Sequence, residues 1–423
     1  MTRPVLLYSG ALFIIVALSL NMNGTLLSFM VRLSLSLFAF TWILDRFPKF
    51  RVRPVPATVG LLSLFVTLLY ASSLWAIEPT DAILYAFRFL LCLVAVFLIY
   101  DSFRSWKEIQ IALQAYVVGL YAVFIQIFIT YLQGRPQLSD GRYGAEGIHP
   151  NHAAVMLGSG LAVAWLLAVG EKPLNKFWRV LNFSYVLAAL YGVMLTGSRG
   201  GFIACVPSLI VICIHLFRKP GSAVITAGIF FAALPGLLAN PSVQKNIERI
   251  GSISESASAD GFTGRGDRWK AAIEIFKDNP IIGVGAGGYR PATRDYGTYA
   301  IHSETGEPLG AHSSYLQFAS ELGIVGLSIF VGLLLSIFLN YRTLLPGYRL
   351  AFMTGLLSLA NAMISEMIEA RYFTWIFIGI GLSVAKISQL ERAAAYDRAS
   401  EYTESVPSTI RSSENLEPAT TAS

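Results

Sequence analysis

Residues 82–100 read AILYAFRFLLCLVAVFLIY, an almost entirely apolar run of the length that one helix needs to cross a bilayer. Similar runs recur along the chain of 423 residues, of which 54% are hydrophobic and only 14% are charged. Soluble domains carry about 25% charged residues, so this composition excludes an ordinary soluble protein. A helix satisfies its own backbone hydrogen bonds inside hydrocarbon. The sequence therefore predicts an all-α integral membrane protein.

The apolar runs predict about 12 transmembrane helices. They cover approximately residues 5–20, 25–44, 55–75, 82–100, 109–132, 152–169, 178–195, 202–217, 223–239, 312–339, 350–367 and 372–390. Helices one to nine thus occupy residues 1–239, and helices ten to twelve occupy residues 312–392. Residues 240–311 form the one long polar interval before the tail, and we interpret them as a large loop with an amphipathic helix. Residues 393–423 contain few apolar side chains and predict a disordered tail.

The orientation of the helices follows from the charges of the short loops, because loops rich in Lys and Arg stay in the cytoplasm. If the N-terminus is cytoplasmic, the loops after helices two, four, six, eight and ten must be basic. Their basic residues are Arg46, Lys49, Arg51, Arg53, Arg104, Lys107, Lys172, Lys176, Arg179, Arg218, Lys219, Arg342 and Arg349. Both termini are therefore predicted to be cytoplasmic, and the large loop faces outward. The formal charge of +6 follows this topology, and we expect no nucleic acid partner.

Cysteine and histidine spacing gives little support for a metal centre. Cys92, Cys205 and Cys213 each fall inside an apolar run, where cysteine acts as a small apolar side chain. His149 and His152 are separated by Pro-Asn, which favours a turn and helix cap, although paired imidazoles at this loop could instead hold a metal or line an acceptor entrance. We predict no metal.

Three arginines on the outward side are candidate ligands for a pyrophosphate, because a guanidinium can grip two phosphate oxygens. Arg199 lies in the short connection GSRGG at 197–201, where the glycines allow other backbone to approach, although it could simply reach the lipid headgroups. Arg265 and Arg268 flank Asp267, the predicted cap of an amphipathic helix that ends before Pro280. The alternative for this pair is a solvated surface helix that binds nothing.

His312 begins the tenth predicted helix on the outward side. A helix N-terminus disfavours a positive charge, so we expect a neutral imidazole that can accept a proton from a sugar hydroxyl. A histidine here could otherwise be a cap or an interfacial polar residue. Glu366, Glu369 and Arg371 lie in the last outward turn and either position substrate or form a local ion pair. Arg32, inside the second helix, needs a functional or inter-helix partner.

The glycine-rich residues 283–288 do not form a nucleotide-binding loop, because neither a preceding strand nor a Lys-Ser/Thr pair accompanies them. We interpret them as a tight irregular segment.

His312-Ser313, nine further residues and GIVG at 323–326 resemble the His-[Asn/Ser/Gln]-nine-Gly-x-x-Gly signature of the O-antigen ligase and polymerase family. Residues 265–269 and 279–285 resemble the rest of that family's periplasmic loop, and Ser198-Arg199-Gly200 is similar to its outward arginine. The resemblance covers about residues 190 to 335. It implies a GT-C-like fold with one large periplasmic loop, in the bacterial inner membrane.

The resemblance also implies a metal-independent, inverting glycosyltransferase that uses no cofactor. Its donor would be an undecaprenyl-pyrophosphate-linked glycan, held by Arg199 and Arg265 with Arg268 in reserve. His312 would activate the acceptor hydroxyl at the periplasmic face. The acceptor would be lipid A-core for a ligase or a lipid-linked repeat unit for a polymerase, which can work with a chain-length regulator; a protein acceptor is also conceivable. A different class stays open, namely a transporter of small anions or lipid-linked sugars.

Overall fold

The computed structural model describes residues 2–20, 25–46, 52–138, 141–170, 174–218, 243–245, 248, 265–295 and 309–405. Within these ranges the chain is α-helical and contains no strand. The helices that we number in chain order are α1 (Thr2–Ser19), α2 (Thr25–Arg46), α3 (Ala57–Ala71), α4 (Pro79–Ser102), α5 (Trp106–Leu132), α6 (Pro150–Val169), α7 (Lys176–Thr196), α8 (Arg199–Arg218), α9 (Gly266–Asp278), α10 (Tyr289–Ala292), α11 (Ser314–Tyr341), α12 (Pro346–Ser365) and α13 (Tyr372–Ser405).

Nine of the described helices are long and apolar enough to cross a membrane, namely α2 to α8, α11 and α13. Helix α1 is apolar but shorter, and α12 is a further helix of 20 residues. Because each of them coincides with a predicted span, the expected polytopic helical architecture is confirmed. The ninth predicted span, residues 223–239, lies outside the described residues. The total of about 12 and the outward position of the loop stay predictions.

Like α13, helix α6 is 83% buried along its apolar segment, so it lies in the interior of the bundle. Buried alanines such as Ala154 and Ala164 let neighbouring helices approach its axis closely, as small residues do in membrane bundles. Helices α5, α7, α8 and α12 pack around it. Cys92 and Cys205 are buried free thiols, as predicted for apolar packing residues, whereas Cys213 is exposed.

Helix α11 is interrupted at Gly323, whose backbone has φ 62° and ψ −160°. The segment after α9 fills the break, because the N–H of Ile324 donates to the carbonyl of Pro280 at 2.8 Å and the N–H of Gly285 donates to the carbonyl of Glu321 at 2.8 Å. These bonds satisfy backbone groups that the interruption would leave unpaired inside a membrane protein. The glycines of the GIVG motif and of residues 283–288 therefore allow the segment after α9 to pack closely against α11.

Gly323→Ala is expected to destabilise the protein by about 2–4 kcal/mol. A Cβ at this position would lie 2.3 Å from the backbone carbon of Ile281, and the positive φ is unfavourable for alanine. Gly332→Ala in the same helix is the matched control, because a Cβ there meets nothing within 4 Å. Thermal unfolding of the purified variants compares the two. An equal midpoint for both variants would contradict the role of Gly323.

At the end of the bundle where α4 finishes and α5 begins, basic residues converge on the buried carboxylate of Asp101. Arg46 Nε donates to Asp101 Oδ2 at 2.9 Å, Arg104 Nη2 lies 2.5 Å from Oδ1, and the backbone N–H of Arg53 donates to Oδ1 at 2.8 Å. A buried charge persists only when it is paired. These residues of the predicted cytoplasmic loops therefore also close this end of the bundle.

The last helix is longer than the sequence indicated. We predicted a disordered tail from residue 393, but α13 continues to Ser405. The added residues include three consecutive alanines, at 393–395, together with Arg398 and Glu401. Such residues lose little side-chain freedom in a helix, and they can extend one that a buried segment has already nucleated. The rest of the predicted tail, residues 406–423, lies outside the described part of the chain.

Candidate functional site

The candidate site lies at the end of the bundle where α6, α8, α11 and α13 begin and where α7 and α12 finish; we call it the site end. Chain direction alone brings residues distant in sequence to this end, because antiparallel helices return the chain to the same side. His149, His312 and Glu366 belong to connections there, and Arg199 is the first residue of α8.

Glu366 is the centre of the site end. Its side chain is 1% exposed, and it follows α12 directly. Arg265 Nη2 and Asn151 Nδ2 each lie 2.7 Å from Glu366 Oε1. On the other side of the carboxylate, His152 Nε2 lies 3.6 Å and His312 Nδ1 lies 3.8 Å from Oε2. One buried carboxylate thus joins four polar side chains from three separate parts of the chain.

The surroundings of Glu366 keep it ionised. Burial raises the pKa of this carboxyl, but His312, His152 and Arg265 outweigh burial, and the net effect lowers the pKa. An ionised carboxylate can accept a hydrogen bond from each of these neighbours. It can also stabilise a positive charge that develops on an imidazole beside it.

A second arginine fixes the orientation of Asn151. Arg142 is buried, its Nε donates to the carbonyl of Thr196 at 2.8 Å, and its Nη2 donates to Asn151 Oδ1. Because the amide oxygen accepts from Arg142, the amide nitrogen must point towards Glu366. Arg142 therefore acts on the site through Asn151, by holding the donor side of the amide in place.

Of the two histidines at the start of α6, His149 has the cap geometry that we predicted, whereas His152 lies in the first turn of the helix. His149 is the N-cap residue, and its Nδ1 accepts from the backbone N–H of Asn151 at 3.2 Å. Burial lowers the pKa of His149, so this imidazole is neutral with its hydrogen on Nε2. The His149 and His152 rings lie 5.9 Å apart between centroids. His152 instead directs Nε2 at Glu366.

His312 precedes its helix by two residues, which corrects the expectation that it begins the helix. Ser313 is the N-cap and accepts from the N–H of Leu316 at 3.4 Å, so α11 begins at Ser314. The small hydroxyl takes the cap because its oxygen reaches the first turn. His312 has φ 50°, the one positive value among the described residues other than glycine. Such a strained backbone persists only where the surroundings fix it.

The connection between α11 and Glu366 is direct. Ser314 Oγ lies 3.0 Å from the backbone carbonyl of Glu366 and 2.5 Å from Glu369 Oε2. Tyr85 also donates to Glu369, at 2.9 Å. Burial raises the pKa of Glu369 even though these hydroxyls counteract it. The hydrogen bonds of Ser314 hold the turn at 366–369 against the helix that follows His312. They therefore determine the distance between His312 and Glu366.

Arg199 begins α8 next to the same turn. Ser198 caps α8, because its Oγ accepts from the N–H of Gly201 at 3.1 Å. A Cβ on Gly200 would lie 2.9 Å from Ser365 Oγ, and one on Gly201 would lie 2.2 Å from Ala154 Cβ. The neighbour of Gly200 is thus a side chain, whereas at Gly201 the backbone carbon of Ala154 also comes close, at 3.3 Å from such a Cβ, as predicted. The backbone of Arg199 thus lies beside the residue that precedes Glu366.

The amphipathic helix that we predicted is α9, which ends at Asp278 before Pro280. The expected cap is wrong: Arg265 occupies the N-cap position, and Asp267 lies in the first turn. Because the helix begins two residues earlier than expected, the Asp267 carboxylate points to solvent and pairs with Lys270 at 3.5 Å. Arg265 instead pairs with Glu366. Arg268 is half-buried, and burial, followed by the charge of Arg265, lowers its pKa.

Beside the two histidines is a cavity of about 720 Å³. Its polar lining consists of Ser28, Arg32, Tyr85, Arg88, His149, His152, Arg290, His312, Glu369, Arg371 and Tyr372. His312 therefore borders both the cavity and Glu366. None of Arg199, Arg265 and Arg268 lines this cavity, so the structure separates the three predicted arginines from a second group that includes Arg32 and Arg371.

Sequence reasoning missed the central position of Glu366 and gave no role to Arg88. The sequence does not decide whether Glu366 positions substrate or forms a local ion pair, because its partners come from α6, from the start of α9 and from the residue before Ser313. Its place in a predicted outward turn was the one available signal. Arg88 carried a clearer signal, since a charge within an apolar run is costly and suggests function.

Comparison with known proteins gives one result. Residues 184–331 match the family model described as O-antigen ligase, which confirms the family resemblance for this part of the chain. The matched range contains Arg199, Arg265, Arg268 and His312, whereas Glu366 and the α6 residues lie outside it. No curated protein matches the chain.

Proposed function

We propose that this chain, which carries an O-antigen ligase domain at residues 184–331, transfers a glycan from undecaprenyl pyrophosphate to a sugar hydroxyl at the periplasmic face of the inner membrane. The ligase form of the proposal takes lipid A-core as the acceptor. The polymerase form takes a lipid-linked repeat unit and can involve a chain-length regulator. The reaction is metal-independent and inverts the anomeric carbon in both forms.

The observation that carries the proposal is the pairing of His312 with the buried, ionised Glu366 at the edge of a cavity. His312 Nδ1 faces Glu366 Oε2 at 3.8 Å, and both atoms are buried without a hydrogen-bond partner among the described residues. A shift of a few tenths of an ångström brings these two atoms within hydrogen-bonding distance. With a hydrogen on Nδ1, the other ring nitrogen, Nε2, is the base.

In the proposed step, His312 Nε2 removes the proton of the acceptor hydroxyl as the oxygen attacks the anomeric carbon of the donor. The bond between that carbon and the pyrophosphate oxygen breaks, and undecaprenyl pyrophosphate leaves with the electron pair. Glu366 stabilises the imidazolium that forms, in the way a carboxylate orients and stabilises a catalytic histidine. The donor is already activated, so placement of the hydroxyl and neutralisation of the leaving group supply most of the acceleration.

Arg199, Arg265 and Arg268 are the proposed ligands of the donor pyrophosphate. Arg265 uses one N–H of its guanidinium on Glu366, and a guanidinium has five. Arg268 is close enough to Arg265 for their charges to repel. An anion between the two relieves that repulsion, which supports a pyrophosphate at this position. Arg199 contributes from the start of α8, beside the same turn.

Arg265→Gln is expected to raise the KM for a lipid-pyrophosphate donor about tenfold or more, because it removes a charge-assisted hydrogen bond. The assay is steady-state glycan transfer by the purified protein in detergent or liposomes. Lys270→Gln on the exposed side of the same helix is the control and should stay within about twofold of the original protein. Equal donor KM values for both variants would remove Arg265 from the proposed site.

A further inference from the structure

We propose that Arg32, Arg88 and Arg371 form a second anion-binding subsite, which holds the phosphate of a lipid-linked acceptor glycan inside the cavity beside His312. The inference rests on the proposed transferase function. It adds the class of acceptor, a glycan carried on a lipid with a phosphate close to the accepting sugar. It also adds the route of entry, between α2 and α4.

Arg32 and Arg88 lie in helices that are apolar enough to span a membrane, where an unpaired charge is costly. Both residues are exposed. Among the described residues, neither guanidinium has an ion pair or a hydrogen bond, and the same holds for Arg371. At the opposite end of the bundle, by contrast, the arginines around Asp101 are hydrogen-bonded to this buried carboxylate. Within the described residues the cavity arginines lack that arrangement, and an anionic ligand would complete it.

The carboxylate in the cavity does not supply the missing partner. Glu369 accepts hydrogen bonds from Ser314 and Tyr85 on its two oxygens. Burial lowers the pKa of Arg371, Glu369 counteracts this, and the nearby Arg88 lowers it further. Arg88 and Arg371 are thus close enough to repel each other. A phosphate between them removes the repulsion and provides bidentate acceptors for both guanidinium groups.

The remaining lining of the cavity suits a lipid. Val31 belongs to α2, Leu91 and Cys92 belong to α4, and each lies within one or two turns of an arginine. Apolar neighbours on the outer faces of these helices, such as Leu33 and Phe87, are exposed. A phosphate at Arg32 and Arg88 can therefore keep its isoprenoid chain in hydrocarbon between α2 and α4.

The position of the base assigns this subsite to the acceptor and not to the donor. His312 Nδ1 is buried against Glu366, and the side chain borders the cavity, so the hydroxyl that loses its proton comes from the cavity side. The proposed donor arginine Arg265 contacts the opposite oxygen of Glu366. His312 and the second arginine group line the same cavity. The distance between the acceptor phosphate and the accepting sugar is therefore no longer than that cavity.

The first test measures both Michaelis constants with purified full-length protein, a lipid-pyrophosphate glycan donor and a polyprenyl-pyrophosphate-linked acceptor. Arg88→Gln and Arg32→Gln are expected to raise the acceptor KM about tenfold or more and to leave the donor KM within about twofold. Arg218→Gln, an exposed arginine at the far end of α8, is the control and should change neither constant. A raised donor KM with an unchanged acceptor KM overturns the proposal, and so does no change in either.

The second test does not depend on transfer. Undecaprenyl phosphate and the uncharged polyprenol are titrated into the purified protein, and the phosphate is expected to bind at least about tenfold more tightly. Because the proposed donor site can also bind this phosphate, the titration is repeated in Arg265→Gln; adding Arg88→Gln to that variant should abolish the remaining difference, and an unchanged difference overturns the subsite. If Arg88-dependent binding is present but no glycan is transferred by the original protein, the transferase proposal fails while the lipid-phosphate subsite stands.

Discussion

His312→Asn is expected to lower kcat for glycan transfer by about 10²- to 10⁴-fold, the usual contribution of a general base. Asparagine keeps a polar side chain and tolerates the positive φ of 50° at this position better than most residues, so the backbone is preserved. It has no ring nitrogen that can take a proton from the acceptor. The expected loss is therefore chemical, with donor and acceptor KM values close to those of the original protein.

Two controls separate this loss from misfolding. The His312→Asn variant should unfold at a temperature within a few degrees of the original protein. His215→Ala removes an imidazole that packs against Trp165 near the other end of α8, and it should retain activity within about threefold. Transfer by His312→Asn at the original rate would remove His312 from the mechanism.

Glu366→Gln is expected to lower kcat about 10²-fold or more and also to raise the donor KM. Glutamine has nearly the same shape, but it carries no charge to stabilise an imidazolium or to balance Arg265. The neutral side chain leaves the Arg265 guanidinium without its carboxylate, so the position of this proposed donor ligand is less well defined. Of the described residues, Glu366 alone couples the proposed base to a proposed donor arginine.

The pH dependence of kcat distinguishes this role from a purely structural one. Glu366 has a lowered pKa and is ionised at neutral pH, so kcat should fall in acid as this carboxylate takes up a proton. Glutamine has no carboxylate to protonate, so the part of the acid limb of the pH–rate profile that reports Glu366 should be lost from the variant. Glu391→Gln, an exposed carboxylate at the far end of α13, should leave the profile unchanged. An unchanged acid limb in Glu366→Gln would contradict direct coupling to His312.

The sequence predicted the helices well because hydrocarbon imposes a simple rule of length and polarity. The runs around α4 and α5 need no tertiary information, since each satisfies its own backbone. Local details were harder to predict. The N-cap of α9 is Arg265 and not Asp267, two residues earlier than expected, because Arg265 pairs with Glu366.

The candidate site could be predicted only in part for a related reason. His312 and Arg265 lie in motifs that are visible in the sequence, whereas Glu366 is recognised by its spatial neighbours. Asn151 precedes Glu366 by 215 residues and Arg265 precedes it by 101 residues, and nothing in local pattern joins them. Contacts at such separations depend on how the whole bundle packs.

The second arginine group could also be predicted only in part from the sequence. Arg32 stood out as a charge within an apolar helix, but its sequence environment named no partner. The structure supplies a cavity that it shares with Arg88 on another helix and with Arg371 in a turn. An intramembrane charge therefore indicates that a function exists, and the cavity indicates its chemistry.

A transporter of anions or lipid-linked sugars is the alternative from another class, and intramembrane arginines in a cavity are compatible with it. The two functions differ in what happens to the donor. A transferase breaks one bond between the anomeric carbon and pyrophosphate for each glycan that it delivers. A transporter moves its substrate across the bilayer and leaves that bond intact.

The most direct measurement reconstitutes the purified protein in liposomes with a lipid-pyrophosphate glycan donor and an acceptor, and counts both products. We predict that each mole of glycan joined to the acceptor is matched by one mole of released undecaprenyl pyrophosphate, and that His312→Asn abolishes both. Movement of substrate across the bilayer with no released undecaprenyl pyrophosphate, unaffected by His312→Asn, would contradict the account.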